Sequence, residues 1–254
     1  MTARLSAVVE GPDDAPALVL GPSLGTGVGL FDAQAAEFAG RFRVVRYDLR
    51  GHGSSEVVPG ACTMADLAGD VVALLDRLGI ARFAYAGVSI GGAIGLQLAL
   101  TVPERLDGLA IIASAARFAD PPSWAVRAQQ VREQGTEFLV PSRTGTWFTT
   151  EWAQAHPTEA GELVGMLRAT PPEGYAACCE AIGAFDVRDR LREITAPTLC
   201  IAGAEDPATP PAMVREVADG VGGAELAVVP GAAHLPTATD PDTVNAALRR
   251  LLER

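Results

Sequence analysis

The stretch Gly87-Val88-Ser89-Ile90-Gly91 constrains this chain more than any other. It has the form G-x-S-x-G. Phe83-Ala84-Tyr85-Ala86 precedes it and suits a buried strand, being short, apolar and aromatic. The run from Gly92 to Leu100 follows it and suits a buried helix with a small-residue first turn. A serine pinned between a strand and a helix must sit in a sharp, strained turn. The flanking glycines lack a Cβ, so strand and helix can approach each other. The serine hydroxyl then projects above a sheet, beside the free N–H groups of a helix N-terminus.

Elsewhere strands and helices alternate. Residues 5–9 and 17–20 read as strands, divided by the turn-forming Gly11-Pro12-Asp13-Asp14. Residues 42–48 read as another strand, ending at Arg50-Gly51-His52-Gly53. Over residues 64–78, Leu67, Val71, Leu74, Leu75 and Leu78 recur at helical spacing, and Gly79 stops the helix. Residues 108–112, 198–202 and 225–229 read as strands, and 211–219 and 240–254 as helices. This order predicts an α/β fold, a mainly parallel twisted sheet with helices on both faces. Between residues 116 and 185 no strand is evident, and 125–135 and 158–167 read as helices. The expected organisation is a core of residues 1–115 and 186–254, with a helical lid inserted at 116–185.

With 254 residues, 48% of them hydrophobic, the chain can bury one sizeable core. The formal net charge is −11, and every basic side chain is an arginine. That balance argues against nucleic acid or an anionic membrane as partner. No apolar run is long enough to span a bilayer, and the first residues do not read as a secretion signal. A cytoplasmic protein is expected. Cys62, Cys178, Cys179 and Cys200 match no zinc spacing and read as reduced thiols. No cofactor is expected, and no feature sets an oligomeric state.

A serine hydroxyl is a weak nucleophile at neutral pH. It needs a base within reach, and the base needs a third group to hold its tautomer. The order for this motif is Ser, then Asp or Glu, then His. Of the three histidines, only His234 comes late enough to leave a strand-end acid before it. His52 reads as a loop histidine that shapes a turn, and His156 as a surface helix end. The acid is Asp206, with Glu205 as the neighbouring alternative. Asp48, Asp186 and Asp189 read as structural. Ser89, Asp206 and His234 each follow a predicted strand, so all belong to one edge of one sheet. A tetrahedral oxyanion needs preorganised donors. The backbone N–H of Ile90 is one, and the loop Ser23-Leu24-Gly25 offers the N–H of Leu24 as the second.

Together these features resemble an α/β-hydrolase, and more narrowly the 3-oxoadipate enol-lactonases of aromatic-acid catabolism. The resemblance rests on Pro22 to Thr26, Arg46 to Gly53, Gly87 to Gly92, Thr170 to Cys179, Ala202 to Pro211 and Ala232 to Leu235. The run from Gly174 to Cys179 is the stretch that points to this family. The resemblance implies that Ser89, Asp206 and His234 are nucleophile, acid and base of a carboxylic ester hydrolase. Its implied substrate is a small anionic lactone, a five-membered ring with a carboxymethyl arm. The substrate carboxylate should meet a positive group under the lid. Arg127, close after Trp124, stands where the family carries an arginine and is the first candidate, ahead of Arg132 and Arg143. Trp147-Phe148 matches a family pair. The chain departs from the family at Gly21-Pro22, at Thr146 and at Pro236-Thr237-Ala238. Another small-ester carboxylesterase, a haloperoxidase-like hydrolase, or a protein that only binds a ligand are the alternative readings on the same fold.

Overall fold

The computed structural model describes residues 2–253. Seven strands form one sheet: β1 (Ala7–Glu10), β2 (Ala17–Gly21), β3 (Arg43–Tyr47), β4 (Phe83–Val88), β5 (Leu106–Ile112), β6 (Thr198–Gly203) and β7 (Glu225–Val229). Their order is β1-β3-β2-β4-β5-β6-β7, and only β1 runs antiparallel to its neighbour. The central strands β2, β4 and β6 are buried along their whole length, as parallel strands covered on both faces must be. The edge strands β1 and β7 are only partly covered.

The helices are α1 (Asp32–Phe38), α2 (Met64–Arg77), α3 (Ile90–Thr101), α4 (Pro121–Gln134), α5 (Thr150–Ala155), α6 (Pro157–Ala169), α7 (Pro172–Ala184), α8 (Pro211–Gly220), α9 (Pro236–Thr239) and α10 (Pro241–Leu252). Helix α2 begins with a capping box, in which Thr63 and Asp66 satisfy each other's backbone amides. Helix α3 is buried on all sides and packs on β4 and β5.

Strand register places the site. β2 lies between β3 and β4, so the chain leaves it in one direction and returns on the other side. That switch opens a crevice at the carboxyl ends of β2 and β4. Gly21 stands opposite Gly87, so the loop after β2 and the turn after β4 emerge side by side. Gly203 likewise stands opposite Val229, which brings the loops after β6 and β7 together.

Helices α4 to α7 lie between β5 and β6. A bridge between Arg117 and Asp186, with the Val187 amide donating to the Ala116 carbonyl, joins the two ends of this insertion. Helix α7 packs along α4 and is itself largely buried.

Candidate active site

Ser89 occupies the turn between β4 and α3 with φ 59° and ψ −118°. Its amide donates to the Ile112 carbonyl at 2.9 Å, and its carbonyl accepts the Ser114 hydroxyl at 2.6 Å. The turn can close only because its flanks are glycine. A Cβ on Gly87 would lie 2.2 Å from the Gly91 carbonyl oxygen, and a Cβ on Gly91 2.2 Å from that of Gly21.

Asp206 and His234 meet across the neighbouring loops. His234 Nδ1 lies 2.8 Å from Asp206 Oδ2. An ionised carboxylate only accepts, so Nδ1 carries the proton and Nε2 is left as an acceptor. The remaining capacity of Asp206 is filled by the amides of Ala208 and Thr209 on Oδ1, and by the Thr209 hydroxyl on Oδ2. Burial by itself would raise the Asp206 pKa. The attraction to His234 and the hydrogen bonds from His234 and Thr209 outweigh it and hold the carboxyl below the usual range. Ser89, Asp206 and His234 are 6%, 3% and 5% exposed, which keeps this polar set out of bulk water.

Ile90 opens α3, so its N–H has no acceptor within the helix. Among the described residues the Leu24 amide also has no acceptor. The next amide, that of Gly25, donates to His52 Nε2 at 3.1 Å. Two preorganised donors can therefore flank the serine.

Ser89, His234, Ser23 and Leu24 line one cavity of about 350 Å³. The insertion supplies its other wall, including Trp124, Arg127, Arg143, Thr146, Trp147 and Tyr175. Arg127 stacks over Trp124 at 4.6 Å, and Arg143 over Trp147 at 5.2 Å. Arg143 is 8% exposed, and among the described residues its side chain bonds to the Leu139 carbonyl and the Ser142 hydroxyl. Among the described residues neither Arg127 nor Arg143 has a carboxylate partner. In a chain with a net charge of −11, one cavity thus holds two guanidiniums that lack carboxylate partners among the described residues.

Arg132 does not line this cavity. Its guanidinium is partly exposed and links α4 to α7, bound to Glu173 at 2.8 Å and to Glu180 at 2.5 Å. Glu205 is exposed, and the carboxylate that meets His234 is that of Asp206. His156 is exposed and stacks on Trp152, and Asp186 pairs with Arg188. Asp48 is buried and ties Val28 to Ser54 through their amides. Thr209 and Tyr175 fall within the stretches that carry the family resemblance, but neither reads as a site residue in the sequence. Thr209 supports Asp206 from three residues along, as a short polar turn does, and Tyr175 enters the cavity from α7.

A family model for the alpha/beta hydrolase fold matches residues 16–241. 3-Oxoadipate enol-lactonase 2 of Acinetobacter baylyi is 36% identical over 244 residues, covering 96% of this chain and 91% of that protein. The chain belongs to the 3-oxoadipate enol-lactonase family of α/β-hydrolases. 3-Oxoadipate enol-lactonase 1 of the same organism is 38% identical over 205 residues, covering 81% of this chain and 77% of that protein. The crystal structure of the enol-lactonase from Burkholderia xenovorans LB400 superposes with a TM-score of 0.96 at 35% identity, over 99% of this chain and 97% of that one. This protein is accordingly a carboxylic ester hydrolase.

The positions at which this hydrolase departs from the family pattern lie close to the cavity and its loops. At Gly21, a Cβ would stand 2.0 Å from the Tyr85 hydroxyl, which is bonded in turn to the Tyr47 hydroxyl at 2.8 Å. The tyrosine pair fills the space that any side chain at position 21 would need. Thr146 lines the cavity, and its carbonyl accepts the His234 amide at 3.2 Å. Pro236 opens α9, where a missing N–H costs nothing.

Proposed function

We propose that this hydrolase opens the ring of 3-oxoadipate enol-lactone through an acyl-enzyme on Ser89, beneath a lid formed by residues 116–185. The observation that carries this reading is a single cavity that holds Ser89, His234 and two guanidiniums without carboxylate partners.

His234 Nε2 takes the Ser89 proton as Oγ attacks the ring carbonyl. The carbonyl oxygen gains negative charge and receives the N–H groups of Leu24 and Ile90. Collapse breaks the ring C–O bond and expels an enolate, which takes the proton from His234 and settles as a ketone. An enolate leaves more readily than an alkoxide, so little is asked of His234 as an acid. His234 then activates a water, which attacks the acyl carbon and frees Ser89 and 3-oxoadipate. Asp206 holds the imidazole tautomer and stabilises the imidazolium. Arg127 and Arg143 hold the carboxylate arm, so binding energy remote from the reacting carbon orients the ring.

The test compares kcat/KM for the enol lactone and for a neutral aryl ester such as p-nitrophenyl acetate. The lactone should be strongly preferred. Faster turnover of the ester would sink the proposal.

A further inference from the structure

His52 is fully buried, and both of its ring nitrogens are engaged. Nδ1 lies 3.1 Å from the Arg50 carbonyl oxygen, which can only accept. Nδ1 therefore carries the proton, and Nε2 is a lone-pair acceptor. That acceptor receives the Gly25 amide at 3.1 Å. Gly25 directly follows Leu24 and has φ +77°, a conformation that leaves the loop little intrinsic preference for this shape.

The ring is itself fixed from two sides. Arg50 is anchored by Asp70, with bonds of 2.6 Å and 2.8 Å. The Tyr175 ring, from α7, stacks on the imidazole at 6.5 Å between centroids. The loop 22–27 is also closed internally, by the Thr26 amide and hydroxyl on the Ser23 carbonyl. Among the described residues, the His52 bond is the one hydrogen bond that ties its Leu24–Gly25 corner to the rest of the core.

We propose that His52 is a positioning residue for acyl transfer: its unprotonated Nε2 holds the Gly25 amide and so aims the adjacent Leu24 amide at the developing oxyanion. The proposal rests on the reading of Ser89 and Leu24 given above.

The groups around the ring favour this state. Asp48 lies on the same loop, with its carboxylate occupied by the Val28 and Ser54 amides. Arg50 is turned to Asp70, the Tyr175 phenol faces the ring from α7, and loop 22–27 brings no titratable side chain. Burial holds the imidazole neutral, pushing its pKa down to about 4. A protonated ring would set one N–H against another at Gly25.

The test uses His52→Leu, which cannot accept, and His52→Gln, whose Oε1 can stand near the Nε2 position. Turnover of the enol lactone and of the neutral aryl ester is measured for both, beside Ser89→Ala. His52→Leu should lose at least roughly tenfold in kcat on either substrate, with KM within about twofold. Its affinity for a trifluoromethyl ketone, which forms an oxyanion on the serine, should fall in parallel, while that for adipate stays unchanged. His52→Gln should recover most of the loss. Wild-type kcat in His52→Leu, or equal losses in both variants, would overturn the proposal. Should His52→Leu fail to fold, nitrogen-15 NMR of the wild type decides: a protonated Nε2 at neutral pH refutes it, and an unprotonated one bonded to the Gly25 amide supports it. If the lactone is not a substrate while the ester is, the lactonase reading fails and the ester still tests His52.

Discussion

The carbonyl of Thr146 accepts the His234 amide at 3.2 Å, and the Trp147 carbonyl accepts that of Leu235 at 2.9 Å. The insertion thus holds the loop that carries His234, as well as walling the cavity. Trp147 is 2% exposed and anchors this junction, with Arg143 stacked on its ring. Trp147→Ala should cost about 3–5 kcal/mol of stability by opening a cavity. It should also lower kcat, since His234 loses its support. Urea unfolding and steady-state kinetics on the same preparation check both.

Ser89 is held at φ 59°, a strained conformation for a residue with a Cβ. Such strain costs on the order of 1–3 kcal/mol and persists only because its surroundings impose it. Ser89→Ala keeps the Cβ and should fold with wild-type stability but lose turnover. Ser89→Gly should also lose turnover, yet unfold at higher urea, by about 1 kcal/mol. A Ser89→Gly protein no more stable than Ser89→Ala would show that the turn stores no strain.

The sheet and the sites at its edge were legible because their signals are local. The alternation of strands and helices, the glycines around Ser89 and the strand-end positions of Asp206 and His234 all follow from short-range pattern. The insertion was less legible. Helix α7 is buried over most of its length, so it lacks the one-sided periodicity that marks a surface helix, and two glycines interrupt it. The short α1 and α9 were equally silent. The run from Gly174 to Cys179 points to the family by resemblance, and the structure supplies its physical reason. A Cβ on Gly174 would lie 2.2 Å from the Gly51 carbonyl oxygen, so the helix and the loop of His52 meet backbone to backbone. Tyr175 then reaches the cavity, and the Cys62 thiol meets the Ala177 carbonyl at 3.4 Å. The partners of Arg127 and Arg132 depend on which side of α4 each faces, and that was fixed only by packing.

Stability should depend on pH through His52. Its pKa in the folded protein is lowered by burial from 6.5 to about 4. The unfolded chain therefore takes the proton first as pH falls. Stability should decline from about pH 6.5 through about pH 4, by on the order of 3 kcal/mol in all. The Asp206 carboxyl, held below its ordinary 3.8, adds a separate loss at lower pH. Urea unfolding at a series of pH values checks the slope, which His52→Gln should flatten between the two limits.

Arg127, Arg132 and Arg143 of the insertion should separate cleanly by substitution. Arg143 is buried without a carboxylate partner, and desolvation pulls its guanidinium pKa down. Burying an uncompensated charge is costly, so Arg143→Met should leave the protein equally or more stable. If the cavity holds the substrate carboxylate as proposed, the same change removes a charge-assisted bond, typically about 1.5–3 kcal/mol. KM for the lactone should then rise roughly ten- to hundredfold. Arg127 is more open to water where it stacks on Trp124, so Arg127→Met should raise KM less. Neither change should move KM for a neutral aryl ester, which has no carboxylate to lose. Arg132→Met removes partly exposed pairs with Glu173 and Glu180, so it should cost at most about 1 kcal/mol and leave KM for both substrates unchanged. Steady-state kinetics on the lactone and the ester, with unfolding of each variant, distinguishes the three. An unchanged lactone KM in both Arg127→Met and Arg143→Met would remove the clamp from the mechanism.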